Sequence, residues 1–100
     1  MAYQIIWSDE AIDSFQNIID YLQHQFTERE VARFILAFEA KINLIKISPD
    51  SYRKSSHNAN VYYTIILRKT ILVYRIKPDT DFVELIHFWD ASRNPNLFSI

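Results

Sequence analysis

Along the first half of the chain apolar residues recur every three to four positions; along the second half they alternate or run together. Ala11, Ile12, Phe15, Ile18, Ile19, Leu22 and Phe26 fall on one helical stripe, so the spacing predicts a helix over roughly 9–25. Ser8 stands before it as an N-cap, and Asp9 and Glu10 place acids where the helix dipole favours them. Thr27-Glu28-Arg29-Glu30 has the form of a capping box, so a second helix begins almost where the first stops. Its stripe is Val31, Phe34, Ile35, Phe38, Ile42 and Ile45, and Ser48-Pro49 ends it. Two long helices joined this tightly predict an antiparallel hairpin.

The period then changes. "VYYTIIL" (61–67), "ILVYRI" (71–76) and "FVELIHF" (82–88) are rich in β-branched and aromatic residues, and "RKT" and "KPDTD" separate them. Breaks this short predict two hairpins in a meander. "YQIIW" (3–7) predicts one more short strand at the start, and "DSYRKSSHNAN" (50–60) reads as polar and irregular. The order is therefore β-α-α-β-β-β: a single α+β domain over 1–100, with the helical hairpin on one face of the sheet. The strands carry large residues at both parities, so the helices leave a second apolar sheet face open. Unless the C-terminal tail folds back over it, that face is expected to take a partner.

Composition narrows the chemistry. Hydrophobic residues at 49% and aromatics at 15% suffice for a packed core. Cysteine and glycine are both absent. There is thus no disulfide framework, thiolate nucleophile or thiolate metal site, and no Gly-rich phosphate loop. Turns needing positive φ must use Asn or Asp, with Asn58, Asn60, Asp79 and Asp81 as candidates. No apolar run is long enough for a membrane span and no signal pattern opens the chain, so a cytoplasmic protein with no membrane partner is expected. The net charge of −1 divides unevenly: residues 1–50 hold four Lys/Arg against eight Asp/Glu, and residues 51–100 hold seven against four. A basic second half suits a polyanionic partner.

Several residues carry candidate chemistry. Arg53 and Lys54, between the second helix and the strands, are placed to neutralise phosphate. Arg75 lies inside an apolar strand and must be paired or face a groove, with Glu84 and Asp90 as candidate partners. His87 alternates with Leu85 and Trp89, and a histidine there can serve as acid or base. Neither His87 nor His57 has a neighbouring histidine at metal-ligand spacing, so no metal and no cofactor is expected. In "ELIHFWDASRNP" (84–95) Trp89 ends the strand, Asp90 and Ser92 turn the chain, Arg93 projects beside the sheet and Pro95 prevents further pairing.

Together "WSDEAIDSFQNIIDYL", "SPDSYRKS", "ILVYRI" and "LIHFWDASRNP" resemble the RelE/ParE superfamily of toxins from bacterial type II toxin–antitoxin modules, over nearly the whole chain. The resemblance implies a growth-inhibiting toxin neutralised by a cognate antitoxin that lays an extended or helical segment on it. RelE-like members cut ribosome-bound mRNA with Lys/Arg and often Tyr or His, without metal; ParE-like members lack those groups and act on DNA gyrase. On the RelE-like reading Arg53, Lys54, His87 and Arg93 are the catalytic candidates, while Arg75, Tyr74 and Trp89 are candidates for target or antitoxin contact. The nuclease members usually carry Arg where Ile71 stands and a terminal Tyr near where Phe98 stands. Those departures incline the reading to a ParE-like gyrase poison, with a metal-independent endoribonuclease and an inert binding module as alternatives.

Overall fold

The computed structural model describes residues 2–67 and 69–91. Ser8 adopts an extended backbone and its hydroxyl accepts the Ala11 N–H, capping helix α1 (Asp9–Gln25), and helix α2 (Glu28–Ile47) follows after a two-residue break. Thr27 is the N-cap of α2, but its side chain makes no capping bond; the Glu30 N–H goes to the Thr27 carbonyl instead. A single 3-10 turn (Pro49–Ser51) closes α2, with Pro49 at its first position.

Among the described residues five strands form one sheet. They are β1 (Gln4–Trp7), β2 (Arg53–Lys54), β3 (Val61–Leu67), β4 (Thr70–Ile76) and β5 (Phe82–Asp90), ordered β1-β5-β4-β3-β2. The meander β3-β4-β5 is antiparallel as its short breaks require. The two-residue β2 lies in the stretch expected to be irregular and pairs with Tyr62 and Tyr63. β1 runs parallel to β5, Gln4 to Trp7 beside Phe82 to Leu85, a neighbour that the helical hairpin makes available by crossing over the sheet. Of the four Asn/Asp turn candidates, Asn60 (φ 64°) and Asp79 (φ 61°) take the left-handed conformation. Each starts a strand in a new direction without glycine.

The helix-facing layer holds Ile66, Leu72, Tyr74, Val83, Leu85 and Phe88 against Ala11, Ile18, Phe34, Ile42 and Ile45. An aromatic group ties four elements: Trp7 stacks on Phe88 at 5.6 Å, and Phe15 lies 5.0 Å from Phe88 and 4.9 Å from Phe38. Such ring pairs contribute about 0.5–1.5 kcal/mol each beyond their area. The stripes are not wholly inward. Ile12 and Phe26 of the first and Ile35 of the second stay exposed, since the sheet covers a narrower arc than the sequence pattern offers.

One irregularity governs the site. Val73 lies opposite His87 and Tyr74 opposite Leu85, so Ile86 is an extra residue, a β-bulge. Before it Val83 and Leu85 face the helices; after it Phe88 does, and all three are buried. The inward parity has flipped. His87 therefore does not share a face with Leu85, as simple alternation predicts.

Candidate functional site

Residues opposite each other on neighbouring strands point to the same side of a sheet. The register thus assembles the face away from the helices in three rows. Arg53, Tyr63, Val73 and His87 form one; Val61, Arg75 and Glu84 form a second; Ile65, Ile71 and Trp89 form the third. No helix of the described chain packs on this side, and Ile65 remains 53% exposed on it. This is the second sheet face expected from the two-parity strands, with Val61 and Val73 buried in it, and it gathers Arg53, Arg75, His87 and Trp89.

The row does not converge. Arg53 on β2 and His87 on β5 are three strand spacings apart, about 14 Å at ~4.8 Å each. Lys54 follows Arg53 in the strand and pairs with Tyr62, whose ring stacks on Tyr74 at 5.9 Å on the helix-facing side. Successive strand residues point to opposite faces, so Arg53 and Lys54 do not form one phosphate grip. Both are exposed and without an ion-pair partner among the described residues. Arg53 lines a cavity of about 600 Å³ with Lys41, Tyr52, Tyr63 and Ile65, in which the Lys41 ammonium sits 4.9 Å above the Tyr52 ring.

Arg75 is paired. Its Nη2 donates to Glu84 Oε1 at 3.0 Å, which selects Glu84 from its two candidate partners; Asp90 lies opposite Thr70 at the far end of the strand. The pair walls a groove of about 510 Å³ floored by Val61, Val73 and Ile86, with Asn58 and Ala59 opposite. Ser55, buried, holds that loop by accepting the His57 and Asn58 N–H groups at 3.1 Å each. The positive φ of Asn60 then returns the chain into β3, and the Ile76 N–H bonds the Asn60 carbonyl.

His87 sits at the rim. Its Nδ1 is buried without a hydrogen bond and lies 3.5 Å from Glu10 Oε1, beyond good hydrogen-bond length but within reach of an ion pair when the imidazole is protonated. Its ring is 5.9 Å from Trp89. A cleft of about 150 Å³ opens beside them, lined by Ser14, Asn17, His87, Trp89 and Asp90. Among the described residues no three His, Asp or Glu side chains gather to hold a metal ion.

Tyr74 is the member that leaves the surface. It is fully buried, and its hydroxyl donates to the Pro49 carbonyl at 2.5 Å, tying β4 to the turn after α2. Burial, with Tyr52, Tyr62 and Asp50 adding, pushes its phenol well above the usual tyrosine range. A partner does not reach it in this arrangement, so it shapes the site from beneath. Arg93 and Phe98 lie outside the described residues. Ser8 and Ser14 were legible only as helix residues, yet they finish the sheet: Ser8 Oγ donates to the Ile86 carbonyl at 2.9 Å and Ser14 Oγ accepts the Phe88 N–H at 2.9 Å. They satisfy the β5 edge where β1 has already ended.

Residues 5–95 match the family model of the ParE toxin of type II toxin–antitoxin systems, parDE. A comparison with curated proteins finds no match. Among solved structures the fold is similar to a chain of the chromosomal ParDE system from P. aeruginosa, with a TM-score of 0.71 and 10% identity over 89% of this chain and 96% of that one. It is also similar to an arginine-to-alanine double mutant of E. coli toxin RelE in the free state, with a TM-score of 0.64 and 17% identity over 95% and 90%. The toxin–antitoxin complex RelBE2 from Mycobacterium tuberculosis follows, with a TM-score of 0.60 and 14% identity over 90% and 99%.

Proposed function

The chain belongs to the ParE toxin family of type II toxin–antitoxin systems, and on that premise we propose that it inhibits growth by binding DNA gyrase without covalent chemistry of its own. The observation that carries this is the dispersal of its candidate catalytic groups. Cleaving RNA through its 2′-hydroxyl needs a base, a cation on the phosphorane and a proton donor around one phosphate. Arg53 and His87 stand about 14 Å apart along their row, Arg75 is bound to Glu84, Lys54 points to the other face, and Ile71 offers no charge. The sheet face away from the helices suits a protein partner better, since it is apolar over Ile65, Ile71 and Ile86 with charge confined to its ends. In the resting module a cognate antitoxin occupies the toxin.

Gyrase supercoiling with purified protein tests this. Inhibition or trapped cleavage complexes, together with intact mRNA in a cell-free translation reaction, is the expected outcome. New mRNA 5′ ends that arise only during translation and vanish with Arg53→Ala/Lys54→Ala overturn it. That result favours the RelE-like endonuclease, with Arg53 and Lys54 as its phosphate contacts. Inactivity in both assays leaves an inert binding module.

A further inference from the structure

β1 pairs with β5 as far as Leu85. Beyond that point three side chains from the start of α1 reach β5 in order. Ser8 Oγ donates to the Ile86 carbonyl, Glu10 Oε1 lies 3.5 Å from His87 Nδ1, and Ser14 Oγ accepts the Phe88 N–H. Glu10 and Ser14 are four residues apart and so share one side of the helix. The two serines satisfy backbone groups of the strand. Glu10 is the member of the series that meets a side chain.

The imidazole is held asymmetrically. Nδ1 is buried without a hydrogen bond, while the His87 side chain as a whole is 30% exposed. The exposed edge of the ring is therefore the one carrying Nε2, which makes no hydrogen bond among the described residues. Across β4 the neighbour is Val73, whose side chain offers nothing polar. An imidazole with its hydrogen on Nε2 sets the Nδ1 lone pair against the Glu10 carboxylate, two acceptors facing each other across 3.5 Å. With the hydrogen on Nδ1 the same contact becomes donor to acceptor. The Glu10 side chain is 67% exposed, so a small rotation brings it to hydrogen-bond length. Which nitrogen of a histidine carries the hydrogen is set by the bond that the other makes, often to a carboxylate. Nδ1 then keeps its hydrogen in both charge states, and any proton is exchanged at Nε2.

We propose that Glu10 is a positioning residue: it holds His87 with the hydrogen on Nδ1, so that Nε2 offers a lone pair from the rim of the sheet to a hydroxyl or N–H donor of the target protein. The bulge at Ile86 makes this possible. It turns His87 out of the helix-facing layer, where plain alternation would bury it with Leu85, and sets the Trp89 ring 5.9 Å away as an apolar shelf. The charged groups beside the ring, Glu10 and Asp90, are both acids, so the site suits a donor and not a phosphate. That the donor belongs to the target rests on the gyrase reading; the tautomer does not.

Nitrogen-15 NMR of the whole free chain, at a pH where the imidazole is neutral, reads the tautomer. The wild type is expected to show His87 with Nδ1 protonated and Nε2 bare, and Glu10→Gln, whose amide oxygen still accepts, to keep that pattern. Glu10→Ala is expected to release the ring to the form that free histidine favours, with its hydrogen on Nε2. Asp13→Ala, which removes an exposed acid of the same helix, is expected to change nothing. A merely structural role for Glu10 moves the unfolding midpoint and leaves the tautomer alone. Supercoiling inhibition reads the contact. His87→Gln, whose amide oxygen can stand where Nε2 stands, is expected to stay within about twofold of wild type, and His87→Asn, which reproduces only the Nδ1 end, to lose roughly threefold to tenfold, the worth of one hydrogen bond. Hydrogen on Nε2 in the wild type, or a tautomer that Glu10→Ala leaves unmoved, overturns the positioning. Equal inhibition by His87→Asn and His87→Gln overturns the contact. A wild type without effect on gyrase removes the target reading and the contact with it, while the spectrum still decides the positioning.

Discussion

Replacing Ser14 by alanine removes one oxygen from the molecule's interior. That oxygen accepts the Phe88 N–H at 2.9 Å and donates to the Ala11 carbonyl at 3.2 Å, and Ser14 is only 7% exposed. The Ala11 carbonyl keeps its place in the helix, so its loss is small. The Phe88 N–H has no other partner among the described residues, because β1 ends beside Leu85. A buried donor left unpaired costs about 1–3 kcal/mol, and we expect ~2 kcal/mol here. Alanine's better helix propensity returns a few tenths of that. For a domain of this size ~2 kcal/mol corresponds to a fall in Tm of roughly 8–16 °C. Urea unfolding followed by circular dichroism should show a lower midpoint at unchanged slope, since no surface is newly exposed. Amide exchange at Phe88 should rise above that of its neighbours. Asn17→Ala, on the same helix and beside the same cleft, is the control and should stay within about 0.5 kcal/mol. A Ser14→Ala loss that small would refute the reasoning and mean that water or a backbone shift reaches Phe88.

Other consequences are simpler to state. Phe15→Ala, which empties the centre of the aromatic group, should cost about 3–5 kcal/mol by thermal or chemical unfolding and serves as the upper reference for Ser14→Ala. Arg75→Ala should cost no more than ~1 kcal/mol because its pair with Glu84 is surface-exposed, so any large functional loss in a supercoiling assay would belong to partner contact and not to folding. The Tyr74 phenol is held above its unfolded value. The unfolded chain therefore loses that proton first: the contribution is full below the ordinary tyrosine pKa, near pH 10, and drains as pH climbs above it toward the raised folded value. Tyr74→Phe should lower neutral stability through the lost Pro49 bond yet flatten the decline above pH 10, read from unfolding midpoints against pH. Asn60→Gly should be near neutral, whereas Asn60→Val at the same positive φ should cost about 1–3 kcal/mol.

The helices and the three long strands were legible because each signals its own period; the helix ends fell where Ser8 and Pro49 put them, while β4 starts one residue early at Thr70 and β5 runs two residues further to Asp90. What escaped the sequence was relational. The bulge at Ile86 leaves no compositional mark, because one extra residue in "LIHFW" still reads as an apolar alternation. Plain alternation therefore puts His87 on the face of Leu85, and the registers show the reverse. The pairing of β1 with β5 is not local either, nor is the diversion of Ser14 from helix surface to sheet edge. Arg53 and Lys54 looked like one basic pair in sequence, but a two-residue strand, too short to announce itself, sends them to opposite sides. Glu84 as the partner of Arg75 was within reach, since an acid of the next strand faced an otherwise costly cation. Leu36, Leu44 and Ile47, exposed on α2, were present in the spelling too; they were obscured because the inward stripe alone accounted for a helix.

β5 is the last of the five strands in sequence and occupies an interior position in the sheet, with β1 on one side and β4 on the other. Synthesis therefore delivers the first strand early and its neighbour late. Until Phe82–Asp90 emerges, β1 has nothing to pair with, Trp7 and Phe15 lack Phe88, and the β3-β4 hairpin presents an unfinished edge. A nascent or prematurely terminated product cannot assemble the sheet, so it cannot display the assembled face. The wiring of the strands acts as a clock: the sheet, and with it the assembled face, is completed only once β5 has been made.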